Sequence, residues 1–227
     1  KVEPPGGDKT RTLAGLGIGF FRSFNRNKKS VVVDIRSDAG RATAKELIAT
    51  ADVVLENFRP GLMASLGLDH ASLAADFPRL VYVSHKGFLP GPYEHRTALD
   101  EVVQMMAALA YMTGPPGRPL RVGTSVNDIM GGMFGAIGVL AALREREHTG
   151  RGQEVQSALF ENCAFLSAQN MQQHLMTGEP VPPMPARISS WSVYDVFTLK
   201  DGEQLFIGAV SDRQFQILCR VLDLPDL

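Results

Sequence analysis

Between residues 31 and 86 the sequence alternates short apolar runs with helical patterns, and this alternation constrains the fold more than any other feature. Val31-Val32-Val33-Asp34-Ile35-Arg36 opens with three β-branched residues, which reads as a strand buried on both faces, as in a parallel sheet. Ser37-Asp38-Ala39-Gly40 starts a helix, and residues 38–50 carry Ala42, Leu47 and Ile48 among charged residues. Asp52–Leu55 reads as a second strand, ending at Glu56-Asn57-Phe58-Arg59-Pro60-Gly61. Helical segments fill 61–66 and 70–76, and Leu80–Ser84 is a third strand, ending at His85-Lys86-Gly87-Phe88. Strand, helix, strand, helix, strand predicts a doubly wound α/β layer. Ligands bind such sheets beyond the carboxyl ends of the strands, and Asn57, Phe58, Arg59 and Lys86 fall at such ends.

From residue 100 the texture becomes helical. Asp100–Thr113 is a Met- and Ala-rich helical pattern, Asp128–His148 a long helix stopped by Thr149-Gly150-Arg151-Gly152, and Ser157–Met176 another. Gln153–Gln156 reads as a short strand. Pro180, Pro182, Pro183 and Pro185 form a linker. Beyond it, Val193–Thr198 and Gln204–Ala209 flank the Asp201-Gly202 turn, a hairpin signal, before a helix over Ser211–Leu222. The chain begins without Met and ends just after a helical pattern, so it reads as cut at both ends, and targeting signals in a missing segment stay open.

Composition narrows the function classes. The 227 residues carry 23 Lys and Arg against 24 Asp and Glu, a balance that argues against nucleic-acid binding by bulk charge. Two cysteines, Cys163 and Cys219, lack both a disulfide framework and metal-site spacing, and the five histidines are scattered, so no metal site is expected. No apolar run approaches the length needed to cross a bilayer, and a cytoplasmic protein without membrane partners is expected. A Walker phosphate loop, a dinucleotide Gly-x-Gly-x-x-Gly after a strand and a Gly-x-Ser-x-Gly elbow are all missing, which counts against an ATPase, a standard NAD enzyme and a serine hydrolase.

Asp128 is the leading candidate for chemistry. One reading makes it the N-cap of its helix. The helix itself favours a second reading: Gly131, Gly132, Gly135 and Gly138 each cost about 1 kcal/mol relative to Ala in a helix interior, which makes sense where a backbone or ligand approaches closely. On that reading the positive helix end keeps the Asp128 carboxylate ionised and nucleophilic. Asn57-Phe58-Arg59-Pro60-Gly61 reads either as a strand-to-helix turn or as a nucleotide clamp, in which Arg grips phosphate and the aromatic stacks on a base. Arg36 and the basic run Asn25–Lys29 are weaker phosphate candidates. Met105, Met106 and Met112 at helical spacing read as core.

Taken together, several segments resemble the class III CoA-transferase family, which includes formyl-CoA transferase, carnitine CoA-transferase and α-methylacyl-CoA racemase. They are Lys1–Asp8, Asn25–Ser30, Ala51–Gly61, Pro78–Ser84, and Gly138–Leu143 leading to Thr149–Gln153, and their order and spacing match over nearly the whole chain. The resemblance implies a Rossmann-like large domain binding CoA over residues 1–180, with the family's N-terminal strand missing. It also implies a linker and the start of a smaller α+β domain over 181–227, and a homodimer of two interlocked subunits. It places Asp128 on the family's catalytic aspartate, and Val33, Asp34, Ile35 and Arg36, Asn57, Phe58 and Arg59, and Ala98, Leu99 and Asp100 on its coenzyme contacts. It implies no prosthetic group: coenzyme A and its thioesters are substrates.

Three departures refine the expectation. The racemase branch has a His immediately before the acidic residue aligned with Asp100, where this chain has Leu99; His95 is near but out of register. Many relatives carry a basic residue at the position of Ser65. The formyl-CoA enzymes have a Gly-rich loop where this chain reads Ala186–Ser192, which argues against the oxalate/formate pair. The expected activity is transfer of CoA from an acyl-CoA to a carboxylic acid through an aspartyl intermediate. The alternatives are an acyl-CoA racemase or isomerase of the same fold and a non-catalytic CoA-binding protein.

Overall fold

A computed structural model describes residues 1–224. It is a mixed α/β structure with parallel sheets. Strands β3 (Val53–Glu56), β4 (Val81–Lys86) and β5 (Glu154–Ala158) form a parallel sheet in that order. A separate parallel pair joins β1 (Val2–Glu3) to β2 (Val31–Val32), and an antiparallel hairpin pairs β6 (Val193–Thr198) with β7 (Gln204–Ala209). The helices are α1 (Phe20–Phe24), α2 (Asp38–Ala49), α3 (Leu62–Ser65), α4 (His70–Leu73), α5 (Asp100–Met106), α6 (Leu109–Thr113), α7 (Val126–Thr149), α8 (Leu159–Leu166), α9 (Ala168–Thr177) and α10 (Asp212–Val221).

The alternation of β4 splits the core into two layers. Leu80 and Tyr82 face Ala44 and Ile48 of α2, Leu73 of α4 and Leu68. Val81 and Val83 face Ala142, Val139 and Leu143 of α7. A third cluster joins Val103 and Ala107 to Cys163 on α8. Each fully buried aliphatic side chain here contributes about 1.5–3 kcal/mol.

The hairpin has the bounds its sequence predicts, with Gly202 left-handed in the turn at φ 89°. Five expectations need correction, the first being that Met105 and Met106, read as core, are 53% and 41% exposed, while Met112 is buried. The run 31–36 is not a strand buried on both faces: only Val31 and Val32 pair, and they are 38% and 61% exposed. The strand stops because the Asp34 carboxylate accepts the Arg36 N–H (3.1 Å) and the Ser37 hydroxyl donates to the Asp34 carbonyl (2.8 Å), which turns the chain. The helix over Asp100–Thr113 is two helices, because Ala108 between them is left-handed at φ 64°. The helix over Ser157–Met176 loses its start to β5 and breaks at the buried Ser167. Finally, α7 does reach membrane-crossing length and composition, with 24 residues and a mean hydropathy of 1.6 in its most apolar window, of which 22% is buried. Its glycines interrupt the apolar pattern without making it polar. One face packs on the sheet; on the other, Met133, Ile137 and Leu140 are each at least 58% exposed.

Candidate active site

Helix α7 runs back across the sheet with its first turn over the carboxyl ends of β4 and β5. The Ser157 hydroxyl, near the end of β5, donates to the Gly131 carbonyl (3.1 Å) and accepts from the Asn162 amide (3.2 Å). Two of the four glycines are explained by this packing. A Cβ at Gly135 would lie 2.5 Å from the His85 ring, and one at Gly138 would lie 2.5 Å from Val155 Cγ1. Gly131 tolerates a Cβ at ordinary contact distance, and Gly132 faces open space. The close approach read from the glycines is therefore made by the protein's own sheet at Gly135 and Gly138.

Asp128 does not cap this helix. Ser125 is the N-cap residue, and Asp128 is the third helical residue. Capping comes from α5: the Asp100 carboxylate Oδ2 accepts from the backbone N–H groups of Asn127 (2.8 Å) and Asp128 (3.3 Å). Its other oxygen accepts from the Gln104 side-chain amide, whose carbonyl in turn accepts the Val122 N–H at 2.7 Å. Asp100 and Gln104 are buried at 6% and 0% exposure. This network fastens the loop before α7, and the first turn of α7, to one helix, and leaves the Asp128 carboxylate without a hydrogen-bond partner among the described residues; the residue is partly open to solvent while its carboxyl sits against desolvating protein.

The electrostatics differ from the expectation. The positive helix end does not dominate: the Asp128 carboxyl is pushed up to about 6 by desolvation, then by the negative charge of Asp100, with Arg121 opposing both. Asp100 occupies the N–H groups that would otherwise stabilise an anion on that turn. Arg121 is held by an ion pair with Glu101 and by the Val122 carbonyl (3.3 Å).

Of Ala98, Leu99 and Asp100, it is Asp100 that meets Asp128 directly. Ala98 packs so closely on the strand-end residue Gly87 that a Cβ there would lie 2.5 Å from its own. Leu99 is 63% exposed. The Asp100 carboxylate is buried and spent on the helix end.

The turn Asn57-Phe58-Arg59 follows β3, with all three residues exposed and Phe58 at 45%. Glu56 shapes it. One carboxylate oxygen accepts the Phe58 N–H (2.8 Å), and the other accepts the Ser84 hydroxyl from β4. Gly61 then takes φ 82° to turn the chain into α3. Lys86, at the end of β4, lies 4.0 Å from Glu154 of β5.

Val33, Asp34, Ile35 and Arg36 end the separate pair of strands. Val33 is only 7% exposed, so its side chain is closed to a ligand, while Asp34 and Arg36 are exposed. Ile35 ties this segment to the core beside α2.

Sequence reasoning missed Glu56, Ser84, Gln104 and Arg121. Gln104 was readable as the residue four after Asp100 on the same helix face. Glu56 showed only as an acid closing an apolar run.

The sequence model of CoA-transferase family III matches residues 1–227. The chain is 40% identical to an acetyl-CoA:oxalate CoA-transferase of Acetobacter aceti, over 100% of this chain and 60% of that protein. It is 34% identical to a succinyl-CoA:glutarate CoA-transferase of Mus musculus, over 100% of this chain and 53% of that one. Among solved structures, a CAIB/BAIF family protein from Brucella suis superposes with a TM-score of 0.86 at 34% identity, covering 100% of this chain and 62% of the other. A hypothetical protein (Rv3272) from Mycobacterium tuberculosis superposes with a TM-score of 0.85 at 33% identity, over 100% and 61%. The chain thus spans less than two thirds of the length of each of these proteins. With the family match running from end to end, this chain belongs to CoA-transferase family III.

Proposed function

We propose that the protein transfers CoA from an acyl-CoA thioester to a carboxylic acid, with Asp128 as the nucleophile. The observation that carries this reading is the division of labour at the start of α7: Asp100 takes the helix-end N–H groups, and Asp128 keeps a free carboxylate beyond the carboxyl ends of a parallel sheet. That is where such sheets hold ligands. An Asp128 oxygen attacks the thioester carbonyl, the C–S bond breaks, and CoA leaves as thiolate. The thiolate then attacks the aspartyl carbonyl of the mixed anhydride, releasing the donor's carboxylate and leaving an aspartyl-CoA thioester. The acceptor carboxylate attacks that thioester and the sequence runs in reverse. Splitting one acyl exchange into such steps is covalent catalysis. No prosthetic group enters these steps.

The coenzyme lies along Asn57, Phe58 and Arg59, Asp34 and Arg36, and the backbone of Val33, Ile35 and Ala98–Asp100. The exposed aromatic and guanidinium of the turn support stacking and phosphate pairing. The relatives' printed names pair a thioester with oxalate or glutarate, both dicarboxylic acids. A dicarboxylate is accordingly the proposed acceptor class, with Arg121 as the cation beside Asp128 that meets its second carboxylate. Because the Acetobacter relative is named for oxalate, oxalate stays in the test panel despite the Ala186–Ser192 loop.

Residues 1–180 are proposed as a Rossmann-like large domain and 181–227 as a linker with the start of the small one. A second, interlocked copy would cover the exposed apolar face of α7, supported by Met133, Ile137 and Leu140. A cytoplasmic location suits soluble acid and CoA substrates.

The test is incubation with a panel of acyl-CoA donors, followed by mass spectrometry of the peptide containing Asp128. A hydroxylamine-sensitive adduct on Asp128, absent in Asp128→Ala together with all transfer, is expected. Wild-type turnover by Asp128→Ala overturns the assignment.

A further inference from the structure

A buried acid between two strand ends is an unusual place for a residue with no chemistry of its own. Glu56 is the last residue of β3 and is only 9% exposed; Ser84, its register partner on β4, is 3% exposed. The Glu56 carboxylate has two separate tasks. One oxygen accepts the hydroxyl of Ser84, which ties it to the central strand. The other accepts the N–H of Phe58, two residues further on, at 2.8 Å. This second bond closes the chain into a tight turn just where the exposed side chains Asn57, Phe58 and Arg59 leave the sheet. Pro60 and Gly61 fix the exit from the turn: Pro60 supplies no N–H, and Gly61 sits at φ 82°. The entry is fixed by Glu56.

We infer that Glu56 is a positioning residue for the coenzyme. Braced against Ser84, it sets the orientation of the Asn57-Phe58-Arg59 turn, so that the aromatic ring and the guanidinium meet the coenzyme's base and phosphates without first having to be ordered. The inference rests on the reading that this turn contacts CoA, and it adds a specific division of roles: Glu56 governs how tightly coenzyme is held and leaves the acyl-transfer step at Asp128 untouched. Preorganisation of this kind appears in binding, because a loop already in its bound shape loses less entropy on association.

The chemistry of the two bonds predicts a graded series. Glu56→Ala loses both. Glu56→Gln keeps a carbonyl for the Phe58 N–H, and its amide can donate to Ser84, whose hydroxyl turns round to accept. Ser84→Ala removes the brace and keeps the turn bond.

The experiment uses the full-length protein and measures CoA affinity by calorimetry beside the single-turnover rate of adduct formation on Asp128 at saturating acyl-CoA. Glu56→Ala is expected to weaken CoA binding about tenfold or more, Ser84→Ala less, and Glu56→Gln least, with the saturated rate within about twofold of wild type in all three; these fold-changes scale with one hydrogen bond to a charged group. Phe58→Ala and Arg59→Ala run alongside. If they weaken CoA binding and the Glu56 and Ser84 variants do not, the positioning role is overturned while the coenzyme site stands. If neither Phe58 nor Arg59 matters, the site reading itself falls. A saturated rate that drops in step with affinity in Glu56→Gln also overturns the inference. Should Glu56→Ala fail to fold, the comparison of Glu56→Gln with Ser84→Ala decides.

Discussion

The carboxylate of Asp100 caps the helix that carries Asp128, accepting the Asp128 backbone N–H at 3.3 Å and that of its neighbour Asn127 at 2.8 Å. The two acids are therefore coupled through one helix end. Asp100 holds the turn in place and makes its neighbour's charge harder to form.

Replacing the cap separates these effects. Asp100→Ala should destabilise the fold by about 1–2 kcal/mol, the worth of an N-cap side chain, as read by urea unfolding. Asp100→Asn can present its carbonyl to both N–H groups, but its amide then faces the buried Gln104 amide donor to donor, so it should lose about 1–3 kcal/mol, the cost of an unsatisfied buried donor. Removing the negative charge should also shift the ionisation of Asp128 to lower pH. An unchanged ionisation in Asp100→Asn would mean that the coupling is not electrostatic.

The rate of adduct formation on Asp128 should rise with pH, with half its maximum near pH 6, because the reactive form is the carboxylate and its proton is held to about 6. Arg121→Ala removes the opposing positive charge, so its midpoint should move higher. A pH–rate profile measured in single turnover reads both. The same variant should raise the KM for a dicarboxylic acceptor more than for a monocarboxylic one.

Stability should carry the same signature with the opposite sense. The folded state holds the Asp128 proton more tightly than the unfolded chain, whose ordinary value is 3.8. Stability therefore falls as pH rises from about 4 through about 6. Asp128→Asn escapes that loss: its melting temperature should exceed wild type at pH 7 and converge with it below pH 4.

Two glycines one turn apart should respond in opposite directions. Gly135→Ala drives a methyl into the His85 ring and should cost about 1–3 kcal/mol, the range for overpacking. Gly132→Ala meets open space and should stabilise the helix by up to about 1 kcal/mol. Thermal unfolding of the two variants checks both.

The chain's local signals reached some elements and not others. The hairpin at Val193–Ala209 was legible because a period of two and a fixed turn residue settle it locally. Helix α2 was legible through Ser37, whose hydroxyl accepts the Gly40 N–H at 3.0 Å. Val31–Val33 misled because β-branched residues report strand preference and say nothing of which neighbours cover them. Ala108 gave no warning, since a non-glycine left-handed residue is imposed by packing. At the site, Asp128 was legible from its helix and from the family pattern. Its cap was not: Asp100 and Asp128 are 28 residues apart, and only the packing of α5 on α7 brings them together.

Helix α7 bears Asp128, the proposed nucleophile, on its first turn and rests on the sheet through Gly135 and Gly138. Those two contacts form a fulcrum about 10–15 Å from Asp128, at 1.5 Å of rise per residue. Any substitution that thickens His85 or Val155 would tip the rod about that point and strain the bonds from Asp100 and Ser157 that hold its first turns. Selection on sheet packing and selection on chemistry thus act on a single mechanical part, and variants deep in the interior should register first as changes in rate.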